Sequence, residues 1–233
     1  MDDAKERFSR TNLLFGENCA AELALKRVLI VGVGGVGGHA AENIIRAGVA
    51  HAVLLDGDTV DISNCNRQII ALDSTIGKFK AEVLAQRAQE INPHGTFTPI
   101  CRFLKTPEDI AALLSDNFDF VVDAIDDVPV KVELLRQLKE RKIPFISAMG
   151  AGGKIDPAQV MEADLSKTYG CPLARVMRSK LKAHGITKGV PVVFSPETPL
   201  RTFANRKIGS ISYMPAVFGC FCAAAAIKHL TSK

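Results

Sequence analysis

The sequence predicts an α/β fold: a mostly parallel sheet with helices on both faces and an elaborated C-terminal part. Three observations predict it. Short apolar runs of strand length alternate with segments of helical periodicity, the pattern of a parallel sheet covered on two sides. The first run passes straight into a glycine-dense turn. The second ends on an aspartate, closing a β-α-β unit of about thirty residues, the size a right-handed crossover requires.

Residues 1–25 predict an N-terminal helical arm. Arg27 to Val31 then reads as a buried strand, Gly32 to Gly37 as the glycine turn and His39 to Ala47 as a helix closed by Gly48. Ala52 to Leu55 is the second strand, ending at Asp56. Lys78 to Glu90 is helix-like and stops before Asn92-Pro93, and Thr96 to Phe103 is the third strand. Asp119 to Ala124 is a strongly apolar fourth strand, Val130 to Lys142 a helix, and Pro144 to Ala148 a fifth strand that runs into Gly150, Gly152 and Gly153. Past Gly150 the alternation loosens. Cys171 to His184 carries Leu173, Val176, Met177 and Leu181 at helical spacing. Lys188 to Arg206 is proline-rich and reads as a loop or crossover. Tyr213 to Ile227 is apolar, but its Pro215 and Gly219 favour a buried terminal helix over a membrane span. The expected organisation is one domain over residues 1–233, with 150–233 as a basic elaboration.

Composition narrows the function classes. The 233 residues are 47% hydrophobic and 23% charged, ordinary globular usage. The charged start, Met1 to Arg10, has no apolar segment of a secretion signal, which predicts a cytoplasmic protein. None of the six cysteines forms a CxxC pair, so no cysteine-type zinc site is expected. Charge is unevenly spread: residues 1–130 hold 12 basic and 19 acidic side chains, residues 131–233 hold 17 and 6. Leu165 to Pro196 has six basic residues (Lys167, Arg175, Arg178, Lys180, Lys182, Lys188) and no acidic one. Such a surface concentrates a polyanion, making these six the candidates for RNA contact, with a merely solvated basic helix as the alternative.

Gly32, Gly34, Gly35 and Gly37 satisfy G-x-G-x-x-G with one extra glycine. The spacing permits a tight turn, close approach to phosphate and an open helix N-terminus. Asp56, nineteen residues after Gly37, stands where a carboxylate accepts ribose hydroxyls. This much fits a dinucleotide oxidoreductase equally well. The following segment favours a triphosphate: Asp58, then Asn64-Cys65-Asn66-Arg67-Gln68, then Gly77-Lys78-Phe79-Lys80. Arg67 and Lys80 are the cationic clamp that nucleotidyl transfer needs. Asp126, just past the fourth strand, is placed to hold Mg²⁺ against phosphates. A surface role for Lys80 and a helix-capping role for Asp126 are the alternatives.

These residues, with Asp123-Ala124-Ile125-Asp126, resemble the ATP site of the ubiquitin-activating-enzyme superfamily, whose bacterial members include ThiF, MoeB and HesA. The resemblance implies a Rossmann-like fold, ribose binding by Asp56, phosphate binding by Arg67 and Lys80, and a metal at Asp126. It also implies a homodimer in which Arg10 reaches the neighbouring subunit's ATP. Within the superfamily the chain is similar to the tRNA threonylcarbamoyladenosine dehydratase branch through Glu6-Arg7-Phe8, Ile91-Asn92-Pro93, Gly150-Ala151-Gly152-Gly153-Lys154-Ile155-Asp156-Pro157, Asp164-Leu165-Ser166-Lys167-Thr168 and Val193-Phe194-Ser195. It departs from some relatives where it reads Lys207-Ile208-Gly209-Ser210, without their cysteine.

That resemblance implies a tRNA substrate whose threonyl carboxylate is adenylated by ATP and then captured by its own carbamoyl oxygen, with net loss of water. Positioning carries both steps, since the ring-closing oxygen is already tethered. The branch leaves open a sulfur-transfer partner. The alternative activity is adenylation of the C-terminal glycine of a ubiquitin-like sulfur carrier. Cys171 is a candidate thiol beside basic residues, Cys220 and Cys222 read as core residues, and His39 reads as a packing or phosphate-touching group.

Overall fold

The computed structural model describes residues 3–200 and 208–232. In chain order it contains α1 (Asp3–Arg7), α2 (Ser9–Phe15), α3 (Cys19–Ala24), β1 (Arg27–Val31), α4 (Gly35–Ala47), β2 (His51–Leu55), α5 (Lys80–Ile91) and β3 (Thr96–Ile100). There follow α6 (Pro107–Leu113), β4 (Phe120–Asp123), α7 (Val128–Arg141), β5 (Phe145–Ala148), β6 (Met161–Asp164), α8 (Pro172–Ala183), β7 (Pro191–Phe194) and α9 (Tyr213–Leu230). The seven strands form one sheet in the order β3-β2-β1-β4-β5-β7-β6, parallel except where β6 runs antiparallel to β7. This is the Rossmann-like α/β arrangement the sequence predicts.

Alternation along the strands builds two cores. Val28, Ile30, Ala52, Leu54, Val122 and Ile146 point to one face, where α4, α5 and α9 cover them. Leu29, Val31, Val53, Leu55, Val121 and Phe145 point to the other, under α6, α7 and α8. Each Val, Leu, Ile or Phe among them, taken fully out of water, contributes roughly 1.5–3 kcal/mol. The edges explain themselves: β3 holds Pro99, which a central strand would not tolerate, and β6 exposes Glu162.

The structure moves several predicted boundaries. Helix α4 begins at Gly35, four residues before His39, because tight packing of Gly35 and Gly37 outweighs the poor helix propensity of glycine. Strand β3 ends at Ile100 rather than Phe103. The segment 188–206 is not only a loop: Pro191–Phe194 is strand β7, inserted between β5 and β6. Residues 201–206 of that segment lie outside the described residues. Helix α6, opened by the Thr106 capping box, and strand β6 are additional.

Helix α9 is long and apolar enough to cross a membrane by length and composition, with a mean hydropathy of 1.3, yet half of it is buried here. Its Met214, Phe218, Cys222, Ala226 and Leu230 recur along one helix face and join the core. That face packs on α4, β4 and β5. The contact is close: a side chain at Gly219 would meet His39 Cβ at 2.7 Å.

Candidate nucleotide site at the carboxyl edge of the sheet

Register decides what meets at the carboxyl edge. Val31 of β1 is paired with Leu55 of β2 and with Asp123 of β4, and Asp123 with Ser147 of β5. The next residues, Gly32, Asp56 and Ala124, therefore lie side by side, the position where open α/β sheets bind ligands. Gly32 has a φ of +84°, and a Cβ there would come within 2.9 Å of the Ala124 carbonyl oxygen. A Cβ on Gly37 would run into the Gly32 carbonyl. Gly35 is closed from above by Pro215 of α9. Gly34 differs, having only the Gln68 amide within ordinary contact distance, at 3.6 Å. No side chain caps α4, so its first N–H groups and its positive dipole end face the edge.

Asp56 is preorganised: its Oδ2 accepts from the Val33 N–H and its Oδ1 from the Asp58 N–H, both at 2.9 Å. A carboxylate has about four acceptor positions, so lone pairs remain. Lys80, at the first position of α5, is 6% exposed and donates from Nζ to Asp58 Oδ2 at 2.9 Å. It is not a surface lysine. Arg67 is half-buried, and its Nη1 is held by the Ser63 carbonyl and by Asn66 Oδ1, both at 2.8 Å. Asn64 is buried and uses Oδ1 to accept from the Asp61 N–H, which folds the loop carrying Arg67. Gln68 Oε1 is the one buried side-chain polar atom without a partner among the described residues.

Asp126 is exposed in the turn after β4, with no bond to its carboxylate among the described residues. It does not cap α7. Asp127 does, accepting from the Val130 N–H at 3.0 Å. Beneath the turn lies an ion pair that sequence reasoning missed: Asp123, named above only as part of the motif, and Lys131, 2.8 Å apart and both at 0% exposure. The only signal in the sequence is an acidic residue ending an apolar strand. A third buried lysine, Lys154, donates to the Ser195 carbonyl at 2.5 Å, and burial pushes its ammonium pKa below the ordinary lysine range.

The other predicted residues lie elsewhere. Lys167, Arg175, Lys180, Lys182 and Lys188 are exposed on and around α8. Arg178 is half-buried and its Nη1 is spent on the Leu165 and Thr168 carbonyls and the Thr168 hydroxyl, so it clamps the loop before α8. Cys171 is 3% exposed in the core under α8, a poor position for a reacting thiol, and Cys222 is buried, whereas Cys220 is exposed. His39 faces the Arg67 loop. Burial lowers its imidazole pKa, against the Glu42 charge and a hydrogen bond to the Arg67 backbone.

Arg10 is exposed on the N-terminal arm. The arm docks at the far, amino end of the sheet: Arg7 donates to the Ile91 carbonyl at the end of α5, and Ala20 packs on Gly48 at the end of α4. The thirteen residues of α4 separate that end from the glycine turn by roughly 20 Å. Arg10 and its own chain's glycine turn are therefore not brought together. A cavity of about 340 Å³ opens at the arm, lined by Arg7, Arg46, Arg87 and Glu90 among others. Two of its arginines are already bonded to buried Glu42, and it lies away from the glycine turn.

The residues at the edge fit a nucleoside triphosphate. An uncapped helix start with an open glycine suits phosphate, Asp56 suits ribose, and the orphaned Gln68 oxygen suits a ligand donor. They also fit Mg²⁺, which takes one or two carboxylates and completes its shell with phosphates and water; Asp126 offers one. Among the described residues no three His, Cys, Asp or Glu side chains gather into an all-protein metal cluster.

Known proteins resemble the chain along most of its length. The ThiF family pattern matches residues 8–233. The chain is 40% identical to a tRNA threonylcarbamoyladenosine dehydratase of Bacillus subtilis (strain 168), over 88% of this chain and 81% of that protein. It is 36% identical to the dehydratase of Escherichia coli (strain K12), over 100% of this chain and 96% of the other. The crystal structure of the E. coli enzyme TcdA in complex with ATP superposes with a TM-score of 0.93, at 38% identity, covering 99% and 96% of the two chains.

Proposed function

Because the chain belongs to the ThiF family, we propose that it is a tRNA threonylcarbamoyladenosine dehydratase, using ATP to close the threonylcarbamoyl group into a ring. One observation carries the reading. An uncapped glycine helix, Asp56, Arg67, Lys80 and Asp126 converge on one sheet edge, in a chain that matches dehydratases along its whole length.

The α4 N–H groups hold polyphosphate at the glycine turn, and Asp56 takes the ribose with its remaining lone pairs. Arg67, oriented by Ser63 and Asn66, presents its other guanidinium donors to phosphate oxygens. Lys80 keeps one of its three donors on Asp58 and brings the others to the same charge. Magnesium, when bound, neutralises polyphosphate charge, and Asp126 is the residue that would hold it. The threonyl carboxylate attacks the α-phosphorus as the bond to pyrophosphate breaks. The carbamoyl oxygen then attacks the activated carbonyl carbon, AMP leaves with the carboxylate oxygen, and the group loses an N–H proton. Holding both partners in line is the main task of the site. Arg10, remote from its own glycine turn, serves a second copy of the chain in a homodimer. The exposed cations around α8 receive the tRNA, which makes the cytoplasm the working compartment.

The test is nucleoside mass analysis of tRNA bearing the uncyclised modification, incubated with the protein, ATP and Mg²⁺. Loss of one water from the modified nucleoside, with AMP released and Arg67→Ala inactive, is the expected result. An unchanged nucleoside alongside AMP formation with a ubiquitin-like carrier would keep the adenylation site and remove the tRNA assignment.

A further inference from the structure

The buried pair Asp123–Lys131 is fully enclosed beneath the turn, and stability explains it poorly. Removing two full charges from water costs several kcal/mol per ion, which their mutual attraction commonly no more than offsets. What distinguishes this pair is the direction of its remaining bonds. Lys131 Nζ donates to the Ile125 carbonyl at 3.0 Å, and Asp123 Oδ1 accepts from the Ile125 N–H at 3.3 Å. Both peptide groups flanking Ile125 are thus fixed, and the second is the one that joins Ile125 to Asp126. From β5, Ser147 Oγ donates to Asp123 Oδ2 at 2.6 Å and holds that carboxylate in turn. On its other side the same turn supports the glycine loop: the Ala124 oxygen and Ile125 Cγ2 stand 2.9 and 3.0 Å from where a Gly32 Cβ would be.

We propose that Asp123 and Lys131 are positioning residues that clamp the 124–126 turn between α7 and the glycine loop, setting the Asp126 carboxylate for a phosphate-bound divalent cation. The proposal rests on the reading of Asp126 given above. Neither residue touches the ligand. Both are fully enclosed, so they act only through the turn.

The experiment measures calorimetric binding of α,β-methylene-ATP with and without Mg²⁺, beside thermal unfolding. The variants are Asp126→Ala and the double variant Asp123→Asn/Lys131→Met, which removes both charges together and leaves neither buried alone. The double variant is expected to unfold cooperatively, bind the metal-free analogue about as wild type does, and lose roughly 10- to 100-fold of the affinity that Mg²⁺ adds, the usual cost of removing a group that orients a metal ligand. Combined with Asp126→Ala it should add little, because the two changes remove one interaction. A folded double variant that retains the full Mg²⁺ gain, while Asp126→Ala loses it, overturns this proposal alone. Asp126→Ala retaining the gain overturns the reading of Asp126, and the proposal with it. Should the double variant not fold, Ser147→Ala decides, since it takes one bond from Asp123 and leaves the charges paired: a partial loss of the gain supports the clamp, and an unchanged gain overturns it.

Discussion

Strands β3, β2, β1 and β4 run parallel, end in register and carry the glycine turn, Asp56 and the Asp126 turn at their carboxyl edge, whereas β5, β7 and β6 include an antiparallel edge and sit beside the cationic helix α8. The first region belongs to the acidic part of the chain and the second to the basic part: 12 basic and 19 acidic residues up to position 130, 17 and 6 beyond it. Both regions are assigned a polyanion, so net charge is not what makes an anion site here. A small polyphosphate can be held inside a negative region by a few cations and N–H groups placed at contact distance, where charge-assisted bonds are strong. A long polyanion is gathered by a field that acts over roughly a Debye length and weakens with salt.

This contrast can be broken by mutation. The largest effect should come from Arg67→Ala, which is expected to lower tRNA-dependent AMP release about 100-fold while tRNA affinity by filter binding stays unchanged. Parallel loss of both would mean that the two regions are not separate. Next, Lys180→Glu with Lys182→Glu should weaken tRNA binding about 10-fold near physiological salt and reduce the slope of log affinity against log salt by about two. The KM for ATP should not move; a shift in it would tie α8 to the nucleotide. The smallest effect concerns how the acidic region is held together. Glu42 on α4 is buried and receives Arg46 Nε at 2.8 Å and Arg87 Nε at 2.5 Å. Burial would raise its pKa, but the hydrogen bonds from Arg87 and Arg46 outweigh that and hold it below the ordinary value of 4.5. A depressed carboxylate stabilises the fold above the unfolded pKa and loses that contribution as pH falls through the folded one. Glu42→Gln should therefore cost about 1 kcal/mol at neutral pH, seen as a lower Tm, and the gap to wild type should close in acid below about pH 4.5. A gap that persists there would assign the effect to packing.

Local patterns carried the first region. Arg27–Val31 is apolar, short and followed by glycines, so its boundaries could be read directly, and the size of the crossover announces that β1 and β2 run parallel. Asp56, Arg67 and Lys80 stood out because glycine spacing and charge are properties of the sequence itself. The second region was harder for a physical reason. Strand β7 is four residues long, begins at a proline and pairs with β5 45 positions earlier, so neither alternation nor neighbouring turns announce it. Helix α6 did carry a signal, Thr106 with Asp109 in a capping box, but only seven residues of helix followed it. Lys131 looked like any helix lysine, and nothing in its neighbours tells that tertiary packing will bury it. Asp126 and Asp127 are adjacent and chemically alike, and only the backbone geometry of α7 separates the cap from the free carboxylate.

The contact of α9 with α4 has a consequence for biosynthesis. A ribosome delivers α4 early and α9 only after 165 further residues, yet Gly219 and Phe218 are what seal the α4 face and Pro215 is what closes the glycine turn. At cellular elongation rates the nascent chain would carry that apolar surface uncovered for on the order of ten seconds. During this interval the half-made protein is a natural client for holding chaperones, and the glycine loop acquires its roof last.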